Sequence, residues 1–264
     1  MSRAKLYYLH QGLPRQGPGT DASTRDAIHR LGIIRSNPRI LDIGCGPGRA
    51  SVLLAQELQA QVTSIDIHQP YLDHLAEACK QLRLRRKIKP LLMSMEKMTF
   101  EPKSFDLIWA EGSAYFMGIR RSLETWMPLM HRGIAVFSEL CWLTDDRPAE
   151  AVEYWAQAYP EMRTPEVHIA TAKELGYDVV QHWILPEKDW WPEYLTPLEA
   201  RMKILHPEAR KDRTLRGLIA DSRCAIDLFR RHSASFGYVF FMIAQLPALQ
   251  TPVGRFAVQP PSRQ

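Results

Sequence analysis

The chain has 264 residues, 45% of them apolar and 24% charged, with a formal net charge of +5. That length suits one large α/β domain or a core with a cap, and the apolar share is ample for a buried core. No apolar run approaches the ~20 residues of a membrane-spanning helix, so no membrane partner is expected. The opening residues lack the apolar stretch of a secretory leader. Four scattered cysteines form no Cys-x-x-Cys pair, and His68, His74, His168 and His182 stand in no metal-ligand spacing. A reducing cytoplasm is the expected setting, without a disulfide framework or a metal site.

Glycine and proline punctuate Gln11–Gly19 throughout, so no regular element is expected there. A loop so rich in glycine and carrying Arg15 could fold over a ligand and close a site. Thr20 or Asp21 then caps a helix running to about Leu31. Residues 39–44 read as an apolar strand entering a glycine-rich turn, and 47–60 as an amphipathic helix. The next strand, 61–66, ends on Asp66. Strand patterns follow at 88–93, 105–110 and 133–140, with helical patterns at 70–83 and roughly 119–131. Alternation of this kind builds a parallel sheet with helices on both faces. Two final strands, 177–185 and 236–245, are about fifty residues apart, room for a helical insertion between antiparallel neighbours. Thr196-Pro197-Leu198-Glu199 reads as a helix start, with Thr196 as the cap. Residues 247–264 read as a frayed tail.

The turn after the first strand selects a ligand class. Gly44, Gly46 and Gly48 alternate, whereas a dinucleotide site wants a third glycine at position 49, where Arg49 stands. Pro47 also removes an N–H that a phosphate could use. A phosphate-free nucleoside fits better, and S-adenosylmethionine is one: an adenosine carrying a sulfonium and an amino-acid tail. Asp42 and the Gly44 carbonyl are placed for its ammonium group, and Asp66 for its ribose hydroxyls.

Two basic groups, Arg83–Lys89 and Arg201–Arg216, raise the question of a nucleic-acid partner. The first reads better as a solvated helix C-terminus, where cations oppose the negative dipole end, and no aromatic is interleaved to stack on a base. A nucleic-acid partner is therefore not favoured.

Leu41-Asp42-Ile43-Gly44-Cys45-Gly46-Pro47-Gly48, then Asp66, then Phe105-Asp106-Leu107-Ile108 resemble the ordered motifs of class I S-adenosylmethionine-dependent methyltransferases. The pattern is closer to a bacterial subgroup resembling ubiquinone/menaquinone-biosynthesis methyltransferases. It includes Arg15-Gln16-Gly17-Pro18-Gly19, Ser94-Met95-Glu96, Trp109-Ala110-Glu111-Gly112, Ser138-Glu139 and Gly237-Tyr238-Val239-Phe240. The resemblance implies a Rossmann-like, seven-stranded mixed sheet with a helical cap before the last strand. Its units would be a lid and helix (1–36), a cofactor core (37–145), a cap with the sixth strand (146–235) and the last strand (236–246). It implies S-adenosylmethionine as cofactor and S-adenosylhomocysteine as product, held by Asp42, Gly44, Gly46, Gly48, Asp66, Ile67, Ser94, Met95 and Glu111. Arg15 and Gly17 would join them from the lid. Where many superfamily members carry Gly-Asp-Ala after the third strand, this chain has Met93-Ser94-Met95, so the adenine contact would pass to Ser94 or the Met95 backbone.

Methyl transfer from a sulfonium is an in-line displacement that needs positioning more than acid–base chemistry. Glu111, directly after the fourth strand, and Tyr115 are the candidate catalytic groups; removal of the Glu111 carboxylate should cut turnover and spare cofactor affinity. Glu139, Trp190 and Trp191 are candidates for holding a small-molecule acceptor, the aromatics for enclosing a cation. Exposed aromatics in the cap could pair two subunits as a homodimer. The competing functions are a methyltransferase acting on RNA or protein, and a non-catalytic adenosine-binding module.

Overall fold

The computed structural model describes residues 3–32 and 35–245. Their strands form one mixed sheet in the order β3-β2-β1-β4-β5-β7-β6. The strands are β1 Arg39–Ile43, β2 Gln61–Asp66, β3 Ile88–Leu92, β4 Phe105–Glu111, β5 Met130–Trp142, β6 Tyr177–Ile184 and β7 Phe236–Gln245. Strand β7 runs antiparallel to both its neighbours, β5 and β6, and the other pairs are parallel. Parallel neighbours need crossovers, and helices supply them: α3 Arg49–Glu57 after β1, α4 Gln69–Gln81 after β2, and α5 Ile119–Trp126 before β5. Strand β1 pairs with β2 on one side and β4 on the other. Chain direction around the sheet reverses there, which opens a crevice beyond the C-terminal ends of those strands.

Alternate strand residues feed two apolar layers. Trp109, Val136, Phe240 and Met242 pack with Ala27 and Ile28 of α2 (Asp21–Arg30), Leu54 of α3 and Leu75 of α4. The same layer takes in α8 (Thr196–Ala209) and α9 (Arg213–His232) through Met202, Leu218 and Phe229. On the opposite face Ile108, Ala110, Phe137 and Phe241 pack with Leu123 and Trp126 of α5 and Ala172 of α7 (Pro165–Glu174). Strands covered on both faces are mostly apolar; β1 is buried at four of its five positions, Asp42 among them.

Several boundaries differ from the sequence reading. The helix expected over 119–131 stops at Trp126, and Met127–Leu129 form a 3-10 turn. Pro128 lacks the N–H that helix continuation requires. The fifth strand then starts at Met130, opposite Phe105, three residues earlier than expected. Thr196 is not a cap: it already has helical dihedrals (φ −62, ψ −47), because the π-helical turn Trp191–Leu195 runs straight into α8. The segments 3–9 (α1, Arg3–Leu9) and 149–158 (α6, Ala149–Ala158) are helical without having been anticipated. The expected tail, 247–264, lies outside the described residues.

Gly48 shows what the alternating glycines do mechanically. It sits at φ +89, and a Cβ there would fall 2.4 Å from Leu75 Cδ1 of α4. The third glycine of this elbow thus lets α4 close over the start of α3. Gly48→Ala should lower unfolding stability by about 2–4 kcal/mol, from left-handed strain plus overpacking; thermal denaturation of the variant measures it.

Candidate functional site

The elbow between β1 and α3 is tied down by its own backbone. The Gly44 and Cys45 N–H groups both donate to the Ile65 carbonyl, at 2.9 and 3.0 Å, and Gly48 N–H donates to Cys45 O at 3.0 Å. Gly46 N–H donates to Asp66 Oδ2 at 2.9 Å. Pro47 has no N–H. Every N–H from 44 to 48 is therefore spent or missing, and the elbow offers no amide cradle to a pyrophosphate. Gly44 carries a second constraint, since at φ +69 a Cβ would lie 2.6 Å from Ser113 Cβ.

Above the elbow lies a cavity of about 260 Å³. Asp42, Gly44, Gly46, Asp66, Ile67, Ser94, Met95, Glu111 and Tyr115 line it, and Arg15 and Gly17 close it from the N-terminal side. Gly48 does not reach it; its place is the helix contact described above. Asp42 is buried and takes a hydrogen bond from Ser51 Oγ at 2.5 Å. Burial, with the Glu111 and Asp66 charges adding, pushes its carboxyl up to about 7 against the opposing Ser51 bond and Arg15 charge. A carboxyl so raised gains most from an incoming cation. Asp66 is anchored by two backbone donors, Gly46 and His68, the latter at 2.8 Å to Oδ1. Burial raises its carboxyl as well. Ser94 caps the short turn after β3, its hydroxyl accepting from Glu96 N–H at 3.2 Å, while still bordering the cavity. The donor set fits an adenosyl sulfonium: an acid for the ribose, a buried acid for an ammonium, and no phosphate ligand at the elbow.

The N-terminal loop is latched by a buried arginine. Arg15 donates to Glu111 Oε2 at 2.9 Å, Glu193 Oε2 at 2.9 Å, Asp21 Oδ1 at 3.1 Å and Thr24 Oγ1 at 3.1 Å. Glu193 reaches across from the π-helical turn between β6 and α8, and its other oxygen accepts from Asp21 N–H at 3.0 Å. Arg49 Nε adds a bond to Asp21 at 3.0 Å. Sequence reasoning missed Glu193, for nothing local to it signals a partner 178 residues away. It also missed a stack at the cavity rim: Tyr7 lies on His68 with ring centres 3.9 Å apart, and Tyr71 meets both edge-on.

Several expected roles change with this geometry. Glu111 is committed to the latch: besides Arg15 it accepts from Thr24 Oγ1 at 2.8 Å and from Trp109 Nε1 at 2.9 Å. A carboxylate held by three donors anchors the cavity wall, so its loss should harm cofactor affinity, contrary to the sequence expectation. Trp190 is core: it is buried, stacked on Phe229 at 3.7 Å and edge-on to Tyr238. Trp191 sits under the Arg230 guanidinium at 5.0 Å. Neither lines the cavity, because the turn that carries them packs outward onto α9. Glu139 is fully buried behind the cavity wall and does not line it either. Tyr115 does line it and is about one third exposed, its neighbour Phe116 more so.

Comparison with known proteins agrees with this geometry. Residues 40–133 match the sequence family described as a methyltransferase domain. A sarcosine/dimethylglycine N-methyltransferase of Aphanothece halophytica is 26% identical over 74% of this chain and 73% of that protein. A 24-methylenesterol C-methyltransferase of Arabidopsis thaliana is 25% identical over 66% of this chain; the chain spans about half, 53%, of that relative's length. In fold, the chain is similar to a methyltransferase of Geobacter sulfurreducens solved with S-adenosyl-L-homocysteine, at a TM-score of 0.79 and 16% identity, covering 93% of this chain and 99% of that one. Residues 40–133 thus match a methyltransferase domain, and the chain as a whole shares the fold of that solved methyltransferase.

Proposed function

We propose that the protein is an S-adenosylmethionine-dependent methyltransferase that moves a methyl group to a small-molecule nucleophile. The observation that carries this reading is the elbow whose N–H groups are all spent or missing, facing two raised carboxyls, Asp42 and Asp66. Such an elbow offers a phosphate no free backbone donor, and the two carboxyls favour a cationic adenosyl ligand. S-adenosylmethionine, when bound, supplies a methyl group already activated by its sulfonium. The chain's own residues do the rest: Asp66 takes the ribose hydroxyls, Asp42 faces the amino-acid tail, and the Arg15 latch keeps the loop 11–19 over the ligand to exclude water. Tyr115 and Phe116 stand at the open side, where an acceptor enters. The sequence motifs favour the ubiquinone/menaquinone-biosynthesis-like subgroup within the superfamily. A cytoplasmic setting agrees with four free thiols, three of them buried; a homodimer stays part of the reading.

Incubating purified protein with labelled S-adenosylmethionine and a panel of metabolites, and following S-adenosylhomocysteine release, tests this function. Acceptor-dependent release supports it; release with no member of a broad panel counts against it.

The raised Asp42 carboxyl also sets a pH dependence. Its folded-state pKa, about 7, exceeds the unfolded value of 3.8, so the ligand-free fold holds the proton and loses stability as pH climbs through that interval. An ammonium partner needs the carboxylate. S-adenosylhomocysteine should therefore bind more tightly as pH rises, by up to about tenfold per unit below 7, and level off above it. Asp66 acts in the same direction, so Asp42→Asn should shallow the slope without abolishing it. Calorimetric titrations between pH 5.5 and 8 read this out; a flat profile contradicts it.

A further inference from the structure

Glu139 is a carboxyl with nothing to balance it. It lies near the C-terminal end of β5, fully buried, and its Oε2 has no hydrogen-bond partner among the described residues, while Oε1 accepts from Leu140 N–H at 3.1 Å. Burial pushes it up to about 8, opposed by the Tyr159 hydroxyl and that N–H, and no cation among the described residues acts on it. A chain of rings leads from it to the cavity. The Tyr159 hydroxyl approaches the acid, the Tyr159 ring meets Tyr115 at 5.8 Å and 67°, and Tyr115 lines the cavity. Tyr115 rides on the short turn Ala114–Phe116, bracketed by Gly112 and Gly118 at φ +57 and +80. Seating an acceptor on Glu139 requires Tyr115, 37% exposed on this short turn, to rotate aside.

Resting on the methyltransferase reading, we propose that Glu139 recognises the methyl acceptor and that the acceptor is an amine, its ammonium seated on Oε2 among the rings of Tyr115 and Tyr159. Aromatic faces attract cations, and a buried carboxyl without a cation gains most from acquiring one. A phosphate or carboxylate acceptor finds no cationic partner there among the described residues. The step balances simply. The ammonium proton passes to Glu139 Oε2, and the freed nitrogen lone pair forms the N–C bond as the C–S bond breaks. The electron pair of that bond stays on sulfur, the product leaves as an N-methylammonium, and the Glu139 proton is released to water.

The test uses the full chain saturated with S-adenosylhomocysteine and two probes of matched shape, benzylamine and benzyl alcohol, titrated calorimetrically. Wild type should bind the amine about tenfold or more tighter than the alcohol, and Glu139→Gln should cut that preference below about threefold while S-adenosylhomocysteine affinity stays within about threefold. Glu139→Asp, which keeps the charge but withdraws it, should lower the preference by about threefold and serves if the glutamine variant does not fold. Equal binding of the two probes, no binding of the amine, or a preference that survives these substitutions overturns the proposal. With S-adenosylhomocysteine bound normally, each of those results sinks this inference alone. Failure of S-adenosylhomocysteine to bind wild type instead sinks the methyltransferase reading beneath it.

Discussion

Asp66→Ala should weaken S-adenosylhomocysteine binding about 100-fold or more while far-UV circular dichroism stays unchanged. Hydrogen bonds to a charged group are worth ~1.5–3 kcal/mol each, and a ribose diol makes two to one carboxylate. Asp66 is prepared for that task. It ends β2, and its oxygens are fixed by Gly46 and His68 N–H donors at 2.9 and 2.8 Å, so little ordering cost remains when ligand arrives. Its removal also frees the Gly46 N–H and loosens the elbow. Asp66→Asn, which keeps one acceptor, should fall between, near tenfold. Titration calorimetry of both variants decides the matter; an alanine variant that binds within threefold of wild type removes the ribose assignment.

Arg15→Met should be as damaging by a different route. The guanidinium is only 7% exposed and serves three carboxylates on three separate segments: Asp21 on α2, Glu111 on β4 and Glu193 before α8. Methionine keeps the apolar stem and deletes the charge, leaving three acids that face one another. Breaking a buried pair by removing one partner typically costs ~3–5 kcal/mol. Glu193 and Asp21 keep roughly a fifth to a quarter of their side-chain surface, so solvent relieves part of that, and the lower end is expected. The loss should concentrate in the lid: faster amide exchange over residues 11–19, a lower melting temperature, and ligand affinity down about tenfold or more. Arg15→Lys should recover little, since a point charge cannot satisfy three acceptors in a fork. Unaltered exchange in the loop and unaltered affinity in Arg15→Met would contradict the latch.

The fold was largely legible because its signals are local. The apolar runs at 39–44, 61–66 and 105–110 each end within a residue of the observed strands, since a strand buried on both faces has no polar alternation to confuse its limits. The elbow was legible too, as glycine adopts the left-handed dihedrals found at 44, 46 and 48 most readily. What could not be read were contacts across long sequence separations. Glu111 stands after an apolar strand and invited a catalytic role; that it is consumed by Arg15 depends on where residue 15 folds. Trp190 looked out of place in a connection, yet the π-helical turn after it presses that connection onto Phe229 of α9, and the indole becomes core. Pro128 was visible in the sequence and should have ended the helix at Trp126; the apolar Leu129 and Met130 carried the pattern past it.

The central claim is that the crevice over the alternating glycines takes a cationic, phosphate-free adenosyl ligand. Isothermal calorimetry of the ligand-free protein against S-adenosylhomocysteine and against NADH tests it most directly. The account predicts saturable heat with the first and none with the second. Heat with NADH and none with S-adenosylhomocysteine would contradict it.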